Sequence, residues 1–258
     1  MKGAIAGDII GSSFEHNPIK QKDFNFFYRP HKFTDDTVLT LAVMDTILNN
    51  KNYVDSFLVY AQKYPNRNYG KTFKIWLMQE EKLPYDSYGN GSAMRVSSIG
   101  WNYNSIEETL NEAKRSSEVT HSHEDGIKGA QAVAASIFLA RNKASKDEIK
   151  KYLEENFSYD LSRNYTDIQP DYKHDFSAQG SVPEAIICFL ESNDYEDAIR
   201  NAIALGGDSD TQAAIAGSIA EAYYGEVPQD IWTKCEKKLN PEILELLNTF
   251  YQKIGKRF

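Results

Sequence analysis

Cysteine is scarce in this chain of 258 residues, which contains only Cys188 and Cys235. Both stand beside apolar residues, and this pattern predicts small core side chains in a reducing compartment. Two cysteines provide no disulfide framework, so a packed core has to stabilise the fold. With 41% hydrophobic residues the chain has enough apolar surface for such a core, and we expect one domain over residues 1–258.

Long apolar runs and an excess of positive charge are also missing. Asp8 interrupts the apolar N-terminal stretch, and no run elsewhere approaches the roughly 18 residues of a membrane span. We therefore expect a cytoplasmic protein without membrane association. The formal net charge of −8 argues against stable nucleic-acid binding, unless a local basic patch is hidden within the average.

Alternating strand patterns are absent as well, whereas apolar residues recur at helical spacing along most of the chain. The spacing predicts helices over 53–64 and 71–79, and two helices within 230–256 that are separated near Asn240. Ser105, Ser145 and Ser181 begin sequences that are typical of capping boxes. Residues 157–179 show neither helical nor strand periodicity, and we expect them to form an ordered loop. The sequence as a whole predicts an all-α fold.

Two carboxylates and a hydroxyl group stand at the start of a strongly apolar helix, in the sequence GGDSDT at 206–211. The helix, over about 210–224, has almost no polar face and is expected to be buried all round. Asp208 and Asp210 converge only if Asp208 keeps a non-helical cap conformation, which Gly206 and Gly207 facilitate. Two buried carboxylates this close need a cation or a shared proton. The alternative is an N-cap aspartate with a spare acid.

A second acidic cluster, FTDDT at 33–37, also opens an apolar helix. The two clusters together offer four carboxylates and at least two hydroxyl groups, and all these donors are oxygen atoms. Hard oxygen donors suit Mg²⁺, Mn²⁺ or Ca²⁺, whereas zinc sites favour His and Cys. Four carboxylates carry enough charge for two divalent cations. The spacing does not match an EF-hand loop.

The N-terminal helix carries Gly3, Gly7 and Gly11, which lie on one face and permit close helix packing. Asp8 lies off that face, and we expect it either to support a metal cluster through hydrogen bonds or to be a surface acid. After this helix comes Glu15, followed by a long polar connection over 16–31. Connections of this length tend to be functional or mobile.

A glycine-rich stretch at 87–95, SYGNGSAMR, precedes a further helix. Glycines before a helix leave backbone N–H groups that can bind an anion such as phosphate. An ordinary glycine turn with Ser92 as the N-cap is the alternative. His121 and His123 precede the next apolar helix, where a single histidine that contacts a ligand or caps the helix is a better interpretation than a shared metal.

Five sequence blocks occur in the order and spacing of one known family. They are residues 3–8 with Glu15, 33–37, 88–95, 120–122 and 206–211. Together they resemble the ADP-ribosylglycohydrolase family over nearly the whole chain. The resemblance implies an all-α orthogonal multi-helix bundle with a binuclear Mg²⁺ or Mn²⁺ site between helix N-termini. It also implies cleavage of the glycosidic bond to an ADP-ribosyl group.

The resemblance also assigns roles to individual positions. Its first metal-ligand group corresponds to Thr34, Asp35 and Asp36, and its second to Asp208, Asp210 and Thr211. The loop that holds the diphosphate and its ribose corresponds to Ser87, Tyr88, Gly89, Asn90, Gly91 and Ser92. His121 matches a histidine that contacts the ligand. Glu15 matches a glutamate that some members use in catalysis, and Asp35 is the second catalytic candidate.

These assignments predict a hydrolase that uses two divalent cations, Mg²⁺ or Mn²⁺, to release ADP-ribose from a modified acceptor. The acceptor is a protein, a nucleic acid or a small molecule, and the sequence does not distinguish among them. One alternative is a protein that binds ADP-ribose or a related nucleotide without turnover, which the intact metal motifs oppose. Another is a hydrolase of some other ribosyl compound.

Overall fold

The computed structural model describes residues 1–256 and consists of helices joined by loops. This range contains fourteen α-helices, one 3₁₀ helix (Asn90–Ser92), and no β-strand beyond an isolated pairing of Gly89 with Ser177. The α-helices are α1 (Lys2–Gly11), α2 (Asp35–Asn49), α3 (Tyr53–Lys63), α4 (Lys71–Met78), α5 (Ser97–Asn102), α6 (Ile106–Glu118), α7 (Glu124–Arg141), α8 (Lys146–Phe157), α9 (Tyr165–Ile168), α10 (Ala178–Leu190), α11 (Tyr195–Ala204), α12 (Ser209–Tyr224), α13 (Gln229–Glu236) and α14 (Pro241–Lys253). The prediction of an all-α fold is confirmed. In the described range, no helix has the length and hydropathy required to cross a membrane.

Helix α12 lies at the centre of the molecule. Every residue from Ser209 to Ala222 is buried, as its lack of a polar face predicted. Helices α1, α7, α10 and α11 pack around it. Gly225 ends the helix in the left-handed conformation with φ 102°, which glycine adopts without steric cost. The start of α12, with Asp210, is therefore held inside the protein.

The contact between α1 and α12 depends on the glycines of α1. A Cβ atom on Gly7 would lie 2.1 Å from the carbonyl oxygen of Ala213, and one on Gly11 would lie 2.3 Å from that of Ser209. Both distances are far inside van der Waals contact, so only a hydrogen atom fits. The predicted close-packing face is confirmed, and it brings the carboxyl end of α1 to the start of α12.

Gly7→Ala is expected to lower the free energy of unfolding by about 1–3 kcal/mol, because the added methyl group forces two tightly packed backbones apart. Urea unfolding measures the change. Gly70→Ala is a matched control, since Gly70 has φ −56° and open space around the position of a Cβ atom. Equal stability of the two variants would contradict the close packing of α1 on α12.

The predicted capping box at Ser181 is wrong. Helix α10 begins at Ala178, and its N-cap is Ser177, whose hydroxyl group accepts a hydrogen bond from the Gly180 N–H. The Tyr88 carbonyl accepts from the Ala178 N–H, and this contact starts the helix earlier than the local sequence indicates. Ser181 instead donates to the Ser177 carbonyl, and Pro183 lies within the helix.

The other two predicted capping boxes differ in completeness. Ser145 forms a full capping box with Glu148. Ser105 accepts from the Glu108 N–H, but the Glu108 carboxylate accepts from the Ser105 hydroxyl group rather than from its backbone N–H. Ser105 is therefore a simple N-cap for α6.

The connection between α1 and α2 contains no regular helix, as the sequence predicted. Its aromatic residues nevertheless pack against the core: Phe26 is buried, and its ring centre lies 5.4 Å from that of Phe24. The Arg200 guanidinium donates to the carbonyl oxygens of Lys22 and Phe24. In the predicted loop over 157–179, the short helix α9 adds one turn of structure.

Candidate active site

The starts of α2 and α12 meet beside the end of α1. Thr34 is the N-cap of α2, and its hydroxyl oxygen accepts from the Asp36 N–H. Asp208 is in the N-cap position of α12, with φ −73° and ψ 77°, but its side chain makes no capping hydrogen bond. It follows Gly206, which turns the chain with φ 77°. The Asp208 carboxylate therefore remains available to the site, contrary to the alternative of an ordinary capping aspartate.

Six acidic side chains converge at this point. Carboxylate oxygens of Asp8, Asp36 and Asp210 lie within 4.8 Å of one another, and so do those of Glu15, Asp208 and Asp210. Asp35 lines the same cavity. Over residues 1–256, no lysine or arginine forms an ion pair with any of the five aspartates. The negative charge is thus left without protein compensation.

The carboxylates are difficult to ionise together. Burial, and then the charge of Asp8, raise the pKa of Asp35 to about 8. Burial raises the pKa of Asp8 to about 6, although hydrogen bonds from Thr37 and Thr34 oppose the rise. The pKa values of Asp36 and Asp210 also lie well above their usual range, because both groups are buried among other acids. Such a cluster needs bound protons or cations.

The residues fit divalent cations. Asp36 Oδ1 is buried without any hydrogen-bond partner among the described residues, so this carboxylate oxygen could bind a cation. The converging side chains offer only oxygen atoms, which Mg²⁺ and Mn²⁺ prefer. Thr211 lines the cavity beside Asp210 and adds a hydroxyl oxygen to this set of donors.

Asp8 joins α1 to the start of α2. Its carboxylate accepts hydrogen bonds from the backbone N–H and the hydroxyl group of both Thr34 and Thr37. The Thr34 hydroxyl group therefore points at Asp8. Its oxygen atom also lies 3.3 Å from Asp36 Oδ2. This arrangement agrees with the supporting role expected of Asp8.

A cavity of about 610 Å³ extends from the acids. Its lining includes twelve of the predicted site residues: Glu15, Asp35, Asp36, Ser87, Tyr88, Gly89, Asn90, Gly91, His121, Asp208, Asp210 and Thr211. Thr34 and Ser92 do not line it. Ser92 is fully buried and donates to the Gly126 carbonyl, so its side chain faces the core.

Several polar groups of the glycine-rich loop already form hydrogen bonds within the protein. The Gly89 N–H donates to Ser87 Oγ, and the Asn90 N–H donates to the Phe176 carbonyl. The Asn90 amide donates to Asp208 over 2.8 Å and to Ser181 over 3.2 Å. Asn90 thus positions an acid, and fewer backbone N–H groups remain for an anion than the sequence indicated.

Several cavity residues escaped the sequence analysis, among them Asn68, His174 and Phe176. Asn68 donates to Glu15 Oε2 over 3.3 Å and has a left-handed φ of 65°. Phe176 is exposed and stacks on the exposed ring of Tyr88, with ring centres 6.5 Å apart. His174 lines the same cavity. None of them belongs to a recognisable motif, and only the fold brings them to the site.

Fold and site together define an all-α protein whose helix N-termini gather carboxylates around a deep cavity. The sequence profile of the ADP-ribosylglycohydrolase family matches residues 1–257. The chain belongs to this family and is a glycosidic-bond hydrolase of the type that acts on ADP-ribosyl linkages. The resemblance read from the five sequence blocks is confirmed.

Similar proteins cover almost the whole chain. ADP-ribosylhydrolase ARH3 of Homo sapiens is 27% identical over 341 residues, which cover 98% of this chain and 93% of that protein. ADP-ribosylarginine hydrolase Tri1 of Pseudomonas putida (strain GB-1) is 24% identical over 282 residues, covering 94% and 76%. A solved structure described as an ADP-ribosylglycohydrolase-related protein complex has a TM-score of 0.75 at 21% identity and covers 98% of this chain and 95% of that chain. This structural likeness shows the shared fold.

Proposed function

We propose that the protein is a metal-dependent hydrolase that cleaves the glycosidic bond of an ADP-ribosylated acceptor and releases ADP-ribose. One observation carries the proposal: Asp8, Asp36 and Asp210 hold carboxylate oxygens within 4.8 Å of one another, without a compensating lysine or arginine in the described chain. Two divalent cations, Mg²⁺ or Mn²⁺, would relieve this repulsion. A cavity of about 610 Å³ lies in the range that encloses small ligands.

The cations would be held by Asp35 and Asp36 at the start of α2 and by Asp208, Asp210 and Thr211 at the start of α12, with Thr34 beside them. Divalent cations in such a site supply positive charge that orients oxygen ligands and makes water more acidic. Asp8 would keep the α2 start in place through its four hydrogen bonds. Asn90 would hold Asp208 in the same way.

The remaining cavity residues would position the substrate. Glycosidic cleavage develops positive charge on the sugar carbon, and the carboxylates around it stabilise that charge. Glu15 is the candidate for proton transfer, because it lines the cavity at the edge of the acid cluster. The loop at 87–91 and His121 would contact the diphosphate and its ribose, with Asn90 next to the acids.

The acceptor is proposed as a class: a protein, a nucleic acid or a small molecule that carries ADP-ribose. We also propose a reducing, cytoplasmic setting, which the free and buried Cys188 and Cys235 support. Incubation with ADP-ribosylated arginine, serine and nucleic-acid substrates, with Mg²⁺ or Mn²⁺, tests the proposal by measuring free ADP-ribose. Binding without release would favour a protein that recognises ADP-ribose without hydrolysing it. If none of these substrates released ADP-ribose and another ribosyl compound were hydrolysed, the proposed substrate class would be refuted.

The metal-free protein is expected to lose stability as the pH rises from about 5 to 9. The pKa values of Asp8, about 6, and Asp35, about 8, exceed 3.8 for an unperturbed aspartate. Their contribution to stability is therefore fully present below about pH 4 and is lost as the pH rises through 6 and then 8. Thermal melting in chelator at pH 5 and pH 9 measures this fall.

Divalent cations are expected to reverse the fall, since they bind the ionised carboxylates of the native state. Millimolar Mg²⁺ or Mn²⁺ at pH 8 should raise Tm, by about 2–4 °C for each kcal/mol of stabilisation in a protein of this size. Added Na⁺ at equal ionic strength is the control for screening. An unchanged Tm with either divalent cation would count against the metal site.

A further inference from the structure

Within residues 1–256, a buried arginine without a carboxylate partner lies in the wall of the cavity. Arg95 is 0% exposed, and its Nε and Nη1 atoms have no acceptor within the described chain. Nη2 donates to the Ser116 carbonyl over 2.7 Å and to Thr120 Oγ1 over 3.1 Å. The guanidinium carbon lies 4.4 Å from the ring centre of Phe57. A desolvated cation with only neutral partners projects its positive potential onto the groups around it.

Thr120 and His121 connect this cation to the cavity. Thr120 Oγ1 lies 2.8 Å from His121 Nδ1, so one of these two atoms donates a proton to the other. His121 Nε2 faces the opposite way, toward the glycine-rich loop: a Cβ atom on Gly91 would lie 3.0 Å from it, and one on Gly89 would lie 3.6 Å from it. Arg95, Thr120 and His121 thus form a continuous hydrogen-bonded chain from the core to the cavity.

Arg95 determines which atoms donate and which accept along this hydrogen-bonded chain. Arginine only donates hydrogen bonds, so Thr120 Oγ1 accepts from Arg95 and keeps its own hydrogen for another acceptor. His121 Nδ1 is such an acceptor when the ring carries its proton on Nε2. The charge of Arg95 favours the same tautomer, because a proton on Nδ1 would lie closer to the guanidinium than a proton on Nε2.

The surroundings of His121 keep its ring neutral. Burial, and then the charge of Arg95, lower the pKa of His121 well below its usual range. Tyr85, whose ring centre lies 5.9 Å from the imidazole, stays uncharged because burial raises its pKa to about 12. A neutral ring has a single N–H group, so its placement decides what the cavity can bind there.

We propose that Arg95 and Thr120 are positioning residues that fix His121 as the Nε2–H tautomer, which donates one hydrogen bond to an acceptor oxygen of the ligand. The ligand atom at this point is then a phosphate or ribose oxygen and not an N–H group. This deepens the proposed function and rests on it for the identity of the ligand. The tautomer is already present in the ligand-free protein, so it can be measured without knowing the ligand.

The tautomer is read from the side-chain nitrogen shifts of ¹⁵N-labelled, ligand-free protein at pH 7. Long-range ¹H–¹⁵N correlation distinguishes protonated from unprotonated ring nitrogens, and His121→Gln assigns the signal among the five histidines. We expect Nδ1 to be unprotonated and Nε2 to carry the proton. A signal from the Nδ1–H tautomer, or from a doubly protonated ring, would overturn the proposal.

Two variants of Thr120 test the relay. Thr120→Val removes the hydroxyl group from a side chain of similar shape, and Thr120→Ser retains it. Thr120→Val should lose the single tautomer and bind ADP-ribose about 10-fold more weakly, the effect of one hydrogen bond. Thr120→Ser should keep the tautomer and the affinity. Calorimetric titration with ADP-ribose measures binding, and far-ultraviolet circular dichroism checks the fold.

The outcomes separate the relay from the proposed function. A Thr120→Val variant with the wild-type tautomer and affinity overturns the relay. A wild-type protein that shows the Nε2–H tautomer and loses it in Thr120→Val, but does not bind ADP-ribose, supports the relay and refutes the proposed ligand. A Thr120→Ser variant that loses the tautomer while folded also overturns the relay, because the hydroxyl group would then be insufficient.

Discussion

Asp36→Asn and Asp210→Asn are each expected to lower kcat/KM by more than about 100-fold, while the protein stays folded. A reduction of 10- to 100-fold is typical of residues that only support a metal ligand, and a direct ligand should exceed it. Asparagine keeps the size of the side chain but removes the charge that a cation requires. Hydrolysis of an ADP-ribosylated substrate with saturating Mg²⁺ or Mn²⁺ measures the loss.

The same variants should change stability in a direction that a capping residue would not. Asp36 and Asp210 are buried among like charges, and their pKa values are raised for that reason. Replacing either by asparagine removes repulsion, so Tm in chelator should rise, and the gain in Tm on adding cations should shrink. A capping aspartate behaves otherwise, because its loss leaves Tm unchanged or lower.

Asp45→Asn is the matched control on the same helix as Asp36. Asp45 is buried, but its carboxylate is bonded to Asn49 and Lys51 rather than to the cavity. This variant should keep wild-type turnover and the full cation-induced rise in Tm. If Asp36→Asn and Asp210→Asn also keep both, the acidic clusters are structural and the metal-dependent mechanism is wrong.

The two acidic motifs could be predicted because each is local in sequence. Thr34, Asp35 and Asp36 are consecutive at one helix start, and Asp208 and Asp210 flank another. Burial of the α12 start could be predicted too, because α12 has no polar face and its first turn had to lie inside the protein. The meeting of the two motifs at one site was implied by the family resemblance. The glycines of α1 indicated the close approach that brings Asp8 to the site. Helix patterning and local motifs thus predicted most of the fold.

Contacts between distant loops could not be predicted in this way. Asn68 donates to Glu15 across 53 positions, and the segment around it has no period or motif. In the glycine-rich loop, the sequence does not distinguish a hydroxyl group that faces the cavity, such as that of Ser87, from one that faces the core. Ser92 faces Gly126 only because α7 packs behind it. Side-chain direction in a loop is set by tertiary packing.

Glu15→Gln is expected to lower kcat by about 100-fold or more, the usual scale of general acid–base catalysis. Glu15 lines the cavity, and its carboxylate lies near those of Asp208 and Asp210. Its partners within the described chain are Asn68 and, at 3.7 Å, His16. Glutamine retains the size and the hydrogen bond but cannot transfer a proton. Single-turnover kinetics measures the chemical step separately from binding.

Asp23→Asn is the matched control on the same connection, because Asp23 is exposed and outside the cavity lining. It should leave kcat and the cation-induced rise in Tm unchanged. If Glu15→Gln lowers kcat and keeps that rise, Glu15 acts on the substrate or on water. If the rise is lost as well, Glu15 is a metal ligand or holds one in place.

Full activity of Glu15→Gln would remove Glu15 from the mechanism and direct attention to Asp35. This group has a pKa of about 8 in the metal-free protein and lines the same cavity, so it is the next candidate for proton transfer. Asp35→Asn alone does not show whether Asp35 transfers a proton, because the substitution would weaken metal binding too. Comparing Asp35→Asn with Asp36→Asn at saturating cation separates the roles: a proton-transfer residue changes the pH profile of kcat, whereas a ligand changes the cation concentration needed for half-maximal activity.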